Sequence, residues 1–495
     1  MKKSLLFFII IVIVGASSVF TVNLFKKQAG DRVLREKKEA IEKLRCPNCN
    51  VILIGIDTLR ADHLSSYGYH RDTSTNIDKF AENGVLFKNT FSASSLTTPS
   101  FMSMLTSLYP TDHGVLRTIH STGNNIIYTR INDSVVTLAQ VLKEQGYKTQ
   151  AFVNTPQLPI EFGFGKGFDN YEFDERPNNR DKLLQWVKDN KDKKFFVFFH
   201  DNGPHDPYAP PNPYNTLYDP EYQGRITTEL PKISEIAGMN KDSTLDENTL
   251  ERKKAYKEGV KDYFWSNVDK NNPKDIYHLV ALYDGEIKYL DDFIGELQKV
   301  LLETNLIENT IIIFTADHGE EFLEHGGFMH RQVYNEILKV PFILTSPSIK
   351  EKMEIREYVR TIDIMPTILD FLDISSTVPL RGKSLLPIVQ DPSKKMNLPI
   401  IAQQYEQNIP PIPLYQTIIK GRYKFIQKKS FQELYDLDSD PKELINLNDE
   451  NRHISSQLSN DLQEILNDTQ YIYKPIPLNL ILDEDRKENF RSLGY

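Results

Sequence analysis

Ile311–Gly326 reads IIIFTADHGEEFLEHG: an apolar run, Ile311–Phe314, leads through Thr315 and Ala316 to an adjacent acid and imidazole, Asp317 and His318. A buried strand that ends by delivering polar side chains is how open α/β folds present an active site at their strand ends. Mixed oxygen and nitrogen ligation suits a mid-series or hard divalent cation, so the pair is a candidate metal centre. An isolated Asp-His-Gly carries little weight. Two further segments give it meaning, NVILIGIDTLRADHLSSYGY from Asn50 and SSLTTPSFMSMLTSLYPTDHGV from Ser94.

Working outward, strand and helix patterns alternate as a βαβ sheet requires. Val51–Ile56, Tyr147–Val153, Phe195–His200 and Thr310–Thr315 read as buried strands. Thr75–Asn83, Val135–Gln145, Arg180–Asp189, Ile276–Leu302 and Ile364–Leu372 read as helices, the first two closed by Gly84 and Gly146. Residues 212–272, rich in Lys, Glu and Asn, read as an insertion rather than core. Past Leu372 the pattern changes, and Tyr415–Ile419 with Tyr423–Gln427 makes a hairpin turning at Gly421, followed by a helix over Ile454–Leu466.

A chain of 495 residues exceeds what one hydrophobic core serves, which argues for a large domain and a smaller one. With 40% hydrophobic and 26% charged residues the composition is that of a globular protein, and a net charge of −9 argues against a nucleic-acid surface. The 19 uncharged residues Ser4–Val22 are long enough to span a bilayer. The expected organisation is therefore an N-terminal transmembrane anchor or signal peptide over 1–24 and a charged stalk over 25–49. A catalytic domain follows over 50–390 and a C-terminal subdomain over 391–495. An extracytoplasmic catalytic domain is expected, although the basic residues after the apolar segment outnumber those before it. Cys46 and Cys49, in CPNC, read as a structural turn; a disulfide loop is open to them outside the cytoplasm, and a zinc site would need two more ligands.

These segments in order, with FFVFFHDNGPHDPYAPP from Phe195, YDGEIKYLDD from Tyr283, VRTIDIMPTILDFL from Val359 and ELYDLDSDPKE from Glu433, resemble the sulfatase family of the alkaline phosphatase superfamily. The resemblance covers nearly everything after Asn50. It implies an α/β fold, an alkaline-phosphatase-like, mostly parallel central sheet flanked by helices, with a smaller C-terminal α+β subdomain. It implies a hydrolase or transferase acting on an ester, one divalent metal ion (Ca, Mg, Mn or Zn), and ligands Asp57, Thr97, Asp317 and His318. Thr97, first in Thr-Thr-Pro-Ser at a helix start, stands at the family's nucleophile position, where backbone donors favour an anion. His205 in GPHDPY and His330, thirteen residues beyond Asp317, are candidates for contacting the substrate's oxygens or protonating the leaving group. His113, His200 and His325 are expected to brace the site through hydrogen bonds to its ligands or to cap a strand end. Arg60 and Asp62 either orient it or pair with each other on the surface.

Departures from the family bear on the substrate. Typical members carry Cys or Ser where this chain has Thr97, and oxidise it to formylglycine; threonine's secondary alcohol yields a ketone instead. Phe101 replaces the arginine that ends the family's maturation motif, and Asn154-Thr155-Pro156 stands where many members carry Gly-Lys-Trp-His. Asp284 is followed four residues later by Lys288, where two-metal relatives have histidine, so one metal is expected. Direct attack by Thr97 favours a phosphate ester over a sulfate ester. The substrate is expected to be a small-molecule, lipid-headgroup or glycan ester, the membrane being met through the N-terminal segment. A catalytically silent member that binds an anionic glycan or headgroup is the rival from another class.

Overall fold

The computed structural model describes residues 43–117, 120–122, 125–174, 178–229, 259–406, 412–429, 431–474 and 476–478. Its centre is an eight-stranded sheet: β1 (Asn50–Ile56), β2 (Val85–Phe91), β3 (Lys148–Val153), β4 (Asn170–Phe173), β5 (Phe195–Asp201), β6 (Thr310–Ala316), β7 (Lys339–Thr345) and β8 (Met353–Arg360), in the order β8-β2-β7-β6-β1-β5-β3-β4. Only β7 runs antiparallel to its neighbours. Every residue of β1, β5 and β6 is buried. That explains why they read as continuous apolar runs rather than as alternating strands: helices cover both faces of the sheet.

The helices are α1 (Thr75–Glu82), α2 (Thr97–Thr106), α3 (Leu138–Glu144), α4 (Asn178–Asp189), α5 (Pro273–Glu303), α6 (Ile364–Phe371) and α7 (Arg452–Leu466), with shorter turns between. In α2 all residues are buried, so the Thr-Thr-Pro-Ser helix runs through the protein rather than over it. The 31-residue α5 starts where Asn272 caps the Lys274 amide and Pro273 takes the first turn. It therefore begins before the Ile276 expected from periodicity. α3 starts late, at Leu138 instead of Val135, because Thr137 and Gln140 form a reciprocal capping box there.

A second sheet, β9 (Ile400–Tyr405), β10 (Pro413–Lys420), β11 (Tyr423–Lys428) and β12 (Gln432–Asp436), is antiparallel in chain order, its hairpin turning at Gly421 (φ 62°). Alternate residues serve two cores. Ile401, Ile418, Phe425 and Leu434 meet Leu458, Leu462 and Leu466 of α7. Ile400, Ala402, Ile419, Ile426 and Tyr435 meet Phe91, Val333, Tyr334 and Leu338 of the larger part.

The described residues from Cys46 onward belong to one compact unit. Cys46 and Cys49 are joined as a disulfide just before β1. The expected membrane segment and most of the stalk lie outside the described residues; among those described, no helix is long and apolar enough to cross a membrane.

Candidate active site

β1 and β6 lie side by side with Ile56 opposite Ala316, so the next residue of each, Asp57 and Asp317, emerges at the same strand end. Backbone bonds fix the pair: the Asp57 amide donates to the Asp201 carbonyl (3.0 Å) and the Asp317 amide to that of Ile56 (3.3 Å). Thr58, in the left-handed region (φ 56°), turns its amide onto Asp317 Oδ1 at 3.2 Å. That conformation is costly outside glycine and is held here by the surrounding bonds. Tyr283 OH donates to the Thr58 carbonyl (2.7 Å) and accepts from the Arg60 amide (2.9 Å). Arg60 is buried and donates to the Glu320 carbonyl (2.9 Å) while pairing with Asp62 and Glu324, so it ties the two acid-bearing loops together.

Thr97 is the first residue of α2, and its Oγ1 lies 3.4 Å from both Asp57 Oδ1 and His318 Nε2. His318 Nδ1 donates to the Gly319 carbonyl at 3.0 Å, which leaves the Nε2 lone pair facing Asp57 Oδ1 (3.7 Å) and Asp317 Oδ2 (3.3 Å). Asp57, Asp317 and His318 are fully buried, with one ligand atom of each lying within 4.8 Å of the others. The outer carboxylate oxygens, Asp57 Oδ2 and Asp317 Oδ2, have no hydrogen-bond donor. Burial pushes the Asp317 carboxyl up to about 8; burial and then Asp317 push Asp57 well above the usual range. Burial, then His330, holds His318 well below it. Acceptors converging in a dry place without a donor fit a divalent cation and little else. Among the described residues this is the one group of its kind. Asp284 is instead taken by His63 (2.7 Å), Tyr69 (2.6 Å) and Arg71 (2.6 Å), and Lys288 by Asp291 (2.8 Å).

His330 and His205 face the cluster together. The His330 ring centre is 4.3 Å from that of His318 and 5.5 Å from that of His205. His330 Nδ1 meets Glu320 Oε1 at 3.2 Å; burial, then His205, holds its imidazole down at about 3, while burial, then Asp206, raises Glu320 to about 8. His205 Nδ1 donates to the Asp206 carbonyl at 2.8 Å. Burial alone would raise Asp206, but His205 and Lys261 hold it below its ordinary value; Lys261 Nζ is 2.9 Å away, and Trp265 Nε1 donates at 2.9 Å. Glu320, Asp206 and Lys261 escaped the sequence reading. Glu320 had a signal, an acid two residues past His318, whereas Lys261 sits in a stretch without pattern.

The bracing histidines differ in kind. His200, one residue before the end of β5, has Nδ1 donating to Asn154 Oδ1 (3.0 Å) and Nε2 3.9 Å from Asp57 Oδ2. His113 supports α2 from behind, against Ser103 Oγ at 3.0 Å. His325 bonds Glu336 at 2.6 Å, away from the cluster. Phe101 packs edge-on against His200, 5.1 Å between ring centres, over Gly55.

Comparison with known proteins places these features in context. Residues 49–374 match the family model described as Sulfatase, and residues 323–470 the one described as N-sulphoglucosamine sulphohydrolase, C-terminal. A Delta 4,5-hexuronate-2-O-sulfatase of Bacteroides thetaiotaomicron is 25% identical over 90% of this chain and 94% of its own length. Arylsulfatase K of Rattus norvegicus is 24% identical over 84% of this chain and 78% of its own. Among solved structures, the phosphonate monoester hydrolase of Agrobacterium radiobacter superposes with a TM-score of 0.65 at 19% identity, covering 86% of this chain and 99% of its own. A structure in complex with its substrate D-glucosamine-2-N,6-O-disulfate gives 0.64 at 21% identity, covering 86% and 98%. At these identities the two structures speak to the fold: the mixed, mostly parallel sheet with a small antiparallel sheet behind it.

Proposed function

The chain belongs to the sulfatase family of ester hydrolases, and from that premise we propose that it cleaves a phosphate ester with Thr97 as the nucleophile. One observation carries this reading: the Thr97 hydroxyl, at the first turn of α2, points into the acid–imidazole cluster at 3.4 Å from Asp57 Oδ1 and His318 Nε2. A divalent cation held by Asp57, Thr97, Asp317 and His318 would neutralise charge on the substrate and make the hydroxyl more acidic. Thr97 Oγ1 forms the new bond to phosphorus as the ester P–O bond on the far side breaks. The proton that leaves Oγ1 ends on the departing oxygen by way of His205 and His330, which face the cluster. Water or an acceptor alcohol then releases the phosphothreonine.

Phosphorus is favoured over sulfur because threonine cannot give the family's aldehyde and Phe101 stands in place of the maturation arginine. The buried Phe101 ring, packed on Phe198 and His200, leaves no opening for a guanidinium there. The second reading, a glycan sulfate ester, is favoured by the relatives named as hexuronate, N-acetylglucosamine and aryl sulfatases. In either case we assign the alcohol portion to a glycan on those same names. The Cys46–Cys49 disulfide supports an extracytoplasmic setting.

The test is to assay aryl phosphate monoesters and diesters, phosphonate monoesters and aryl sulfates with Mn, Mg, Ca and Zn, and to map covalent adducts by peptide mass spectrometry. Turnover of phosphoryl substrates and a phosphorylated Thr97 are expected, with Thr97→Ala reducing kcat by at least about a thousandfold. Turnover of sulfates alone overturns the phosphoryl preference. Full activity in Thr97→Ala removes the nucleophile.

A further inference from the structure

A cavity of about 630 Å³ opens where β2 and β7 meet the loop that follows β12. Asp57, Thr97, His205, Asp317, His318 and His330 are all absent from its walls. It nevertheless lies at the same end of the sheet as the catalytic cluster. Lys339 opens β7 opposite Phe91, the last residue of β2, and Phe342 of the same strand lies opposite Thr315, two residues before Asp317.

Its charges are unevenly spent. The acids in the wall already have cations of their own: Asp62 (2.8 Å) and Glu324 (2.6 Å) pair with Arg60, and Glu336 pairs with His325 (2.6 Å). Lys88 and Lys339 have none, for among the described residues no carboxylate comes within 4.0 Å of either ammonium. Lys88 donates to the Ser66 carbonyl at 3.0 Å and stands 4.9 Å over the Tyr67 ring, while exposed Lys442 adds a third ammonium at the rim. Burial holds Lys339 below its ordinary pKa, with the nearby Asp62 carboxylate opposing the fall and Lys88 adding to it; burial lowers Lys88 as well, against the pull of Glu354. Half-buried ammonium groups with no carboxylate in contact are relieved by an anion placed beside them. Beside them the half-buried rings of Tyr67 and Tyr358 give flat apolar walls of the kind that pack against a sugar ring.

We propose that this cavity is a second, non-catalytic binding site for an anionic saccharide unit, its sulfate, phosphate or carboxylate group held by Lys88 and Lys339 and its ring by Tyr67 and Tyr358. The site is independent of which residue is the nucleophile. Its place on the catalytic rim lets it hold a distant part of a long anionic chain while another part is cleaved.

The experiment is calorimetric titration of the metal-loaded full chain carrying Thr97→Ala, so that nothing is consumed, with a sulfated disaccharide, its unsulfated counterpart and inorganic sulfate as probes. The sulfated disaccharide should bind at one site more in this protein than in the same protein carrying Lys88→Met and Lys339→Met, which keep the side-chain stems. The single Lys339→Met change should weaken that site at least about tenfold, and turnover of a small aryl ester by Lys88→Met/Lys339→Met with Thr97 intact should stay within about twofold. If the catalytic cluster itself fails to hold the probe, one site remains and is lost in the lysine variants, which still supports the proposal. Unchanged stoichiometry and affinity in the lysine variants overturns it, as does the absence of any binding. Inorganic sulfate binding as tightly as the disaccharide overturns the role of the rings.

Discussion

Asp57 and Asp317 are carboxylates buried side by side, each with one oxygen lacking a donor, and their protons and the cation compete for the same lone pairs. Without the cation, burial lifts Asp317 to about 8, and Asp57 rises as well through burial and its neighbour's charge. The metal-free fold therefore carries protons at pH 7 that the loaded fold must give up. Loading with a dication near neutrality is expected to release at least one proton, and affinity should climb with pH until about 8. Calorimetry in two buffers of different ionisation enthalpy reads this directly; equal heats in both would count against it. The sign for stability follows from the same shift. An unfolded aspartate titrates near about 3.9, so between that value and about 8 the folded, metal-free chain binds the more protons and loses stability as the pH rises. Chelation should accordingly lower the melting temperature further at pH 8 than at pH 5. Asp317 and His318 were legible in sequence because they follow an apolar strand, whereas Asp57 and Thr97 were marked by the resemblance of their segments to the family. Asp206 and Lys261 were not legible, since their places depend on contacts between loops that carry no periodicity; Glu320, two residues past His318, had a signal that the resemblance did not single out.

At the scale of elements, α2 is held against β1 by a fit that leaves no slack. A Cβ on Gly55 would lie 2.4 Å from Phe101 Cε1, and the ring is pinned on its other sides by Phe198 and His200. Gly55→Ala is expected to cost about 1–3 kcal/mol by overpacking, with part of the loss recovered when Phe101→Leu is added. Urea denaturation of the two variants measures it, and a Gly55→Ala protein as stable as the parent would mean that the ring moves freely. Strands were the most legible elements because β1, β5 and β6 are buried on both faces, so hydrophobicity alone marks them. Helix starts were less so. Thr137 with Gln140, and Asn272 with Pro273, set the first turns of α3 and α5 by capping, a signal that apolar spacing does not contain. The polar insertion is the extreme case: residues 259–266 are helical and bring Lys261 and Trp265 onto Asp206, yet nothing in their composition announces a partner.

Across the whole molecule, the two sheets meet at a seam that reaches the catalytic loop. Lys424 and Glu443, both fully buried, pair at 2.6 Å, and Glu443 Oε2 accepts the Asn335 amide at 2.7 Å. On the catalytic side His325 stacks on Tyr334, 3.6 Å between ring centres, in the hairpin that joins Glu321–Phe322 to Phe328–Met329 and leads into His330. Both ring nitrogens of His325 face acceptors: Nδ1 the Glu336 carboxylate at 2.6 Å, Nε2 the Glu443 carbonyl at 3.2 Å. Only the imidazolium can donate to both. Burial alone would lower His325, but Glu336 and Glu443 outweigh it and the net shift is upward. The sign is then fixed: this contact contributes in full below the ordinary histidine value of about 6.5 and is lost as the pH rises through the higher folded value. One tie between the C-terminal sheet and the His330 hairpin should therefore loosen on the alkaline side. Thermal melts of the metal-loaded protein from pH 6 to pH 9 are expected to fall along that limb, and His325→Gln, which cannot donate from both sides, should start lower and run flatter. Parallel curves for the two proteins would mean that the seam does not titrate and that the hairpin is held by contacts that are indifferent to pH.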